Sequence, residues 1–331
     1  MRKMKKQLME LLSIHGTSGN EEPVRNYLIP ILTDLVDTVT VDSYGNLLGD
    51  KKCGNGKGAT ILLSAHMDTV KGVLANRKLI DNNGVIMSDF GALGADDRAG
   101  ITIILTVLRN LKKLNFNGNI KVAFSREEEI GCVGADKIRK EWYDGTDLAI
   151  VVDRRGNRDI VVGCGMAFCS DEVGLFMEEV SKMLDMNWEC VEGGISDAMT
   201  FSQNGINSIN VSAGYMNEHT EREFVVLEDM KDTVKLILQT IAIINDFSHT
   251  FGFVGYENRW VKSWYKEDHK RSHQHYYEDS FLDDIWAEET DKNGDVYVYE
   301  MGRDIVIQQG DNEIFLSRES LRSLLGQLKN A

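Results

Sequence analysis

The sequence predicts a three-layer α/β fold on a mostly parallel, mixed sheet, with a small α+β unit after it. Two observations carry that prediction. Short apolar runs at 59–64 (ATILLS), 120–124 (IKVAF) and 148–152 (LAIVV) alternate with longer stretches of helical periodicity, which implies parallel strands covered by helices on both faces. The residues delivered by those runs are also unusual: His66, Glu128, Glu129 and Asp153 follow them closely. Side chains at the carboxyl ends of parallel strands converge at the mouth of a sheet, where α/β proteins place their sites.

The first segment, Lys3 to Ser13, sets Met4, Leu8, Leu11 and Leu12 on one helical face, and a second helix starts near Glu21. Val39 and Val41 alternate with polar residues before a turn at Tyr44-Gly45-Asn46. Ile101, Ile104, Leu105, Leu108 and Leu111 form a helical stripe after Asp96-Asp97. Beyond the strand at 120–125 the pattern predicts a helix from Gly134 to Trp142, the strand before Asp153, and a helix from Ser170 to Leu184. A strand from Ile206 to Val211 and a long helix from Leu227 to Phe247 close this part.

A chain of 331 residues exceeds what one core usually holds, so a large and a small domain are expected. Residues 1–250 form the catalytic candidate, 251–294 a linker or docking segment, and 295–331 a small β-β-β-α unit. Its strands are Val296 to Glu300, Asp304 to Gln308 and Glu313 to Leu316; Ser317 caps a helix carrying Leu321, Leu324, Leu325 and Leu328. His269, His273 and His275 lie in the linker among basic residues and are read as solvated.

Composition narrows the function. A formal charge of −15 opposes a phosphate backbone, so nucleic acid is not an expected partner. No run approaches the roughly 20 apolar residues that span a bilayer, so no membrane partner is expected. The basic start, Met1 to Lys6, leads into an amphipathic segment rather than an apolar signal core. Five cysteines without CxxC spacing indicate neither a disulfide framework nor a thiolate zinc site, and a cytoplasmic location fits them.

The chemistry gathers on His66, Asp96, Glu129, Asp153 and His219 as metal ligands, with Glu128 and Asp68 as catalytic residues. Imidazole nitrogen and carboxylate oxygen suit two divalent ions, Zn²⁺ first and Mn²⁺ or Co²⁺ next. Adjacent residues at a strand end point to different sides, so Glu129 can bind metal while Glu128 faces substrate as general base. Asp68, two residues past His66, is placed to fix the imidazole tautomer.

These residues lie in ordered motifs: Ser64-Ala65-His66-Met67-Asp68-Thr69, Gly94-Ala95-Asp96-Asp97-Arg98-Ala99-Gly100, Glu128-Glu129-Ile130-Gly131, Asp153, Gly193-Gly194-Ile195-Ser196-Asp197-Ala198, and His219-Thr220 with Glu223. Together they resemble the co-catalytic zinc exopeptidases, most closely the peptidase T (tripeptide aminopeptidase) group. The resemblance implies a zinc-exopeptidase-like fold in which Asp96 bridges two metals, His66 and Asp153 complete one site, and Glu129 and His219 the other. It also implies a cis peptide between Asp96 and Asp97.

Two departures accompany it. Members of that group insert a lid or dimerisation domain of roughly a hundred residues. Here Asp153 and His219 are only 66 positions apart (219 − 153), and His66 and Asp96 only 30 (96 − 66), so the chain reads as lidless and its oligomeric state does not carry over. Glu192 also stands where peptidase T has an arginine for the substrate carboxylate. The expected activity is hydrolysis of peptide or amide bonds, as an aminopeptidase-like exopeptidase in which Glu128 activates a metal-bound hydroxide. The alternatives are a deacylase or carboxypeptidase on N-acyl amino acids, and a peptidase-like binding protein without turnover.

Overall fold

The computed structural model describes residues 2–252, 296–301, 304–309 and 312–317, and the chain divides into two units, within 1–261 and 262–331. The first unit begins with α1 (Arg2–Leu12), α2 (Glu22–Thr33), β1 (Thr38–Val41), β2 (Leu47–Cys53) and β3 (Thr60–His66). It continues through β4 (Leu79–Asn82), β5 (Val85–Ser88), α3 (Ala95–Asn110), β6 (Gly118–Ser125), α4 (Val133–Lys137), α5 (Lys140–Tyr143) and β7 (Leu148–Arg154). Then come β8 (Asp159–Gly163), α6 (Asp171–Lys182), β9 (Glu189–Glu192), α7 (Asp197–Gln203), β10 (Ser208–Ser212), β11 (Tyr215–Met216), β12 (Phe224–Val226) and α8 (Leu227–Ile243).

Eight strands form the main sheet in the order β1-β2-β6-β3-β7-β10-β8-β9. Pairing is parallel across β6, β3, β7 and β10, and again between β8 and β9; β1–β2, β2–β6 and β10–β8 are antiparallel. The expected mostly parallel mixed sheet is therefore present. Its central strands are apolar at consecutive positions because both faces are covered. Ile61 and Leu63, with Leu148, Ile150 and Val152, pack into the core that includes Leu8, Leu28, Ile104, Met177 and Ile237 of α1, α2, α3, α6 and α8. Leu62, Ala149 and Val151 face the other way, onto Ala135, Tyr143, Ala198 and Phe201 from α4, α5 and α7. That alternation is the period of two that builds the three layers.

Three elements differ from their sequence patterns. The helix expected over 134–142 is broken into α4 and α5, because Ile138 is extended (φ −66°, ψ 128°) and buries its side chain. The helix expected to Phe247 ends at Ile243 and tightens into 3₁₀ turns at Ile244–Asp246 and Ser248–Thr250. Between His66 and Asp96 lies the β4–β5 hairpin, which joins β12 and β11 in a separate four-stranded sheet. The interval from Asp153 to His219 supplies β8, β9 and β10 to the main sheet.

In the second unit, β13 (Val296–Met301), β14 (Asp304–Gln309) and β15 (Asn312–Ser317) form an antiparallel sheet at the three segments expected as strands. The linker segment from residue 253, its histidines and the terminal helix lie outside the described residues. No helix among the described residues is long and apolar enough to cross a membrane.

Candidate metal centre

The sheet topology brings β6, β3 and β7 side by side and parallel, so their carboxyl ends open on one edge. His66 is the last residue of β3 and pairs in register with Ser125, the last of β6. Glu128 and Glu129 follow β6, and Asp153 lies near the end of β7. Asp96 comes from the start of α3, and His219 from the turn between β11 and β12.

These side chains meet. His66 Nε2 lies 3.0 Å from Asp96 Oδ1, 3.4 Å from Asp153 Oδ1 and 3.8 Å from Glu128 Oε2. On the opposite side of Asp96, His219 Nε2 lies 3.2 Å from Oδ2 and 2.8 Å from Glu129 Oε2. The two oxygens of Asp96 thus face two different imidazoles, each with a further carboxylate. His66 is buried, whereas the His219 side chain is 48% exposed, which places the open side of the cluster at His219.

Positioning contacts surround the cluster. Asp68 Oδ1 accepts the Glu128 N–H at 3.0 Å, and Oδ2 accepts the Glu129 N–H at 3.2 Å and the Ser18 hydroxyl at 2.7 Å. His66 Nδ1 lies 3.3 Å from the same carboxylate and 3.1 Å from the Asp68 carbonyl. Burial raises the Asp68 carboxyl, but His66, Ser18 and the Glu128 amide outweigh it and hold it at about 2. Asp97 accepts the Gly100 N–H at 2.9 Å and the His66 N–H at 3.3 Å. The peptide between Asp96 and Asp97 is cis. Arg98, fully buried, donates to the carbonyls of Met67 and Gly16 and lies close in charge to Asp68 and Asp97.

The electrostatics suit a cation. Burial pushes Glu128 and Glu129 above the usual carboxylate range, Asp153 up to about 7 and Asp197 up to about 6. Asp96 goes the other way, because hydrogen bonds from His219 and His66 outweigh its burial. Two of those imidazole contacts, from Asp96 and Glu129, lead the causes that raise His219 to about 11. Carboxylates concentrated out of water are unstable as anions unless positive charge meets them. Glu129 Oε1 is buried and has no hydrogen-bond partner among the described residues. Ligand atoms of His66, Asp96 and Glu129, and of His66, Glu128 and Asp153, lie within 4.8 Å of one another.

Residues 81–236 match the family model of M42 glutamyl aminopeptidase. That span contains Asp96, Glu128, Glu129, Asp153 and His219, and His66 precedes it. A protein of Acetivibrio thermocellus named "Putative aminopeptidase" is 24% identical over 326 residues, covering 71% of this chain and 97% of its own. Peptidase T of Halothermothrix orenii is 48% identical, but only over 63 residues, 18% of this chain and 15% of that one. The likeness to peptidase T sequences is therefore local. Among solved structures, aminopeptidase PepT from Bacillus cereus superposes with a TM-score of 0.66 at 20% identity, over 73% of this chain and 98% of that one. The Pyrococcus horikoshii TET1 peptidase, which can assemble into a tetrahedron or a large octahedral shell, gives 0.60 at 19% identity, over 72% and 99%. The structural likenesses establish the fold as that of these aminopeptidases.

Two contacts at the cluster, from Tyr215 and Asn210, have no local signature in the sequence, and a third comes from Glu223 of the His219 motif. Tyr215, buried, donates its hydroxyl to Asp153 Oδ1 at 3.0 Å. Asn210 brackets the Asp153 backbone, accepting its N–H at 2.9 Å and donating to its carbonyl at 2.7 Å. Glu223 accepts the N–H groups of Gly94, Ala95 and Asp96 at 2.7, 2.6 and 3.1 Å, tying the segment that carries His219 to the start of α3. Burial raises the Glu223 carboxyl to about 7 against the pull of those three donors.

Proposed function

We propose that this chain is a two-metal exopeptidase that releases residues from the free amino terminus of peptides. The observation that carries the reading is Asp96, with Oδ1 3.0 Å from His66 and Oδ2 3.2 Å from His219. In this reading His66 and Asp153 hold one ion, Glu129 and His219 the other, and Asp96 serves both. The unpartnered Glu129 Oε1 and the surplus of buried carboxylates support it. Nitrogen and oxygen donors without thiolate suit Zn²⁺, Mn²⁺ or Co²⁺. When bound, such ions lower the pKa of a water and polarise the scissile carbonyl.

The remaining work falls to this chain's own groups. Glu128 takes the proton of the attacking water and returns it to the departing amine. Burial raises its carboxyl, so it holds the transferred proton more readily than an ordinary carboxylate does. Asp68 orients the other players, holding the His66 ring through Nδ1 and the backbone of Glu128 and Glu129 through their amides. An acidic cleft favours a substrate's ammonium over its carboxylate. Glu218 lies in the field of Asp96 and His219 and adds to that preference through its buried Oε2, which has no hydrogen-bond partner among the described residues, while its Oε1 pairs with Arg155.

The test combines metal analysis with a panel of free-amine peptides, amino-blocked peptides and N-acyl amino acids. The expected result is two divalent ions per chain and turnover of free-amine peptides that chelation abolishes and metal restores. Glu128→Ala keeps its metal and loses about 10²–10⁴ in kcat. Turnover confined to blocked substrates would replace the aminopeptidase reading with a deacylase one, and failure to bind metal would remove the centre itself.

A further inference from the structure

We propose that Glu128, Cys132 and Asp197 form a third cation site, for a thiophilic divalent metal, whose occupation inhibits the enzyme. The inhibitory half rests on Glu128 as proton carrier under the function proposed above. The binding half rests on donor geometry alone.

Cys132 sits at the start of α4 with a left-handed backbone (φ 55°) and is fixed by its N–H, donated to the Glu128 carbonyl at 2.8 Å. That conformation returns the thiol toward the side chain four residues earlier, and Sγ lies 3.4 Å from Glu128 Oε1. Asp197, the first residue of α7, is 1% exposed. Its Oδ2 accepts the Ser125 hydroxyl, while Oδ1 is buried and has no hydrogen-bond partner among the described residues. Ligand atoms of the three side chains all lie within 4.8 Å of one another. In a tetrahedral site with bonds of about 2.0–2.3 Å, ligand atoms stand about 3.5 Å apart, so a modest contraction closes this one.

The donor set differs from that of the main centre by its sulfur. A thiolate shifts preference toward Zn²⁺ and Cd²⁺ over Mn²⁺ or Mg²⁺, so excess soft metal has a destination besides the two main positions. On binding, the thiol S–H bond breaks, a sulfur–metal bond forms, and the proton leaves to solvent. Glu128 faces both centres, with Oε2 3.8 Å from His66 Nε2 and Oε1 on Cys132. An ion held on Oε1 turns this carboxylate from a proton carrier into a ligand, and turnover stops.

The experiment titrates the full-length chain, already loaded with two ions, with Cd²⁺. It reads the ultraviolet sulfur-to-cadmium absorbance and the number of ions retained. The native chain is expected to take one further ion with a thiolate band, and Cys132→Ser to take none. The difference between the two removes any signal from Cys53, Cys164, Cys169 and Cys190. Asp197→Asn keeps the thiol and weakens the same binding about tenfold or more. Excess Zn²⁺ lowers native turnover at least about tenfold, while Cys132→Ser retains its basal turnover at the same excess. A band of equal size in Cys132→Ser, or none in the native chain, overturns the site. A Cys132-dependent band without loss of turnover overturns the inhibitory role. A chain that hydrolyses no peptide overturns that role together with the peptidase reading, while the band still decides the site.

Discussion

Glu223 offers a sharp test of how the cluster is held. Its carboxylate is 2% exposed and accepts three backbone N–H groups at the start of α3, where helix donors have no partner of their own. Glu223→Ala leaves those three donors buried. Each orphaned group costs about 1–3 kcal/mol, and water entering the vacated volume recovers part of it, so a loss of about 3–5 kcal/mol is expected. Glu223→Gln keeps the shape and one acceptor oxygen. It can still serve Ala95 and Asp96 but sets an amide N–H against Gly94, so its cost is about 1–3 kcal/mol. Denaturant unfolding followed through Trp142 and Trp188 measures both. Because the same bonds position Asp96, metal affinity in Glu223→Ala should fall about 10- to 100-fold. A Glu223→Ala chain within about 0.5 kcal/mol of native would refute the claim that this carboxylate holds the helix start. Equal losses in the two variants would shift the cause from acceptor count to charge.

Two further predictions concern the support beneath the cluster. In Gly100→Ala the new Cβ would stand 2.0 Å from the Val152 carbonyl oxygen and 2.4 Å from Asp97 Oδ1. A loss of about 3 kcal/mol or more is expected, read as a lower Tm, and an unchanged Tm would show that α3 can shift freely against β7. Asp197 gives a pH signature in the metal-free chain. Burial lifts its carboxyl from 3.8 to about 6, so between those values the folded chain holds a proton that the unfolded chain has lost. Its contribution to stability is therefore full below pH about 4 and declines as pH rises through about 6, by up to about 3 kcal/mol. Unfolding of the native chain and Asp197→Asn across that window checks the sign, and identical pH slopes would refute it.

How much was legible in the sequence follows from how far each contact reaches along the chain. The central strands announced themselves as apolar runs because both faces are covered, as Ile61 and Leu63 on one side and Leu62 on the other show. β9 (ECVE) carries no such run, since it is a short edge strand whose only buried residue is Val191. The β4–β5 hairpin left a signal that pattern reading passed over. Asn83-Gly84 lies between the two strands with positive φ at both residues (54° and 95°), the hairpin signature of an Asn-Gly turn. His66, Glu128, Glu129 and Asp153 were legible because strand ends deliver them. Tyr215 was not, because its partner Asp153 is 62 residues away and no local spacing encodes that pairing.

That difference in reach bears on how the centre is built. His66, Glu128, Glu129 and Asp153 come from one sheet edge, and their relative positions follow once β6, β3 and β7 pair. Asp96 and His219 do not lie on that edge; each is fixed by contacts that cross the molecule. Glu223 joins their two segments across 127 residues, and Tyr215, from the strand before His219, reaches back to Asp153. A sheet formed without those contacts would present a partial ligand set, with His66 and Asp153 in place and the second imidazole absent. Disturbing Glu223 should therefore weaken metal binding more at the position of His219 and Glu129 than at that of His66 and Asp153. Stepwise metal titration of Glu223→Gln, which retains most of the fold, separates the two: unequal weakening supports this division of the centre, and equal weakening of both positions contradicts it.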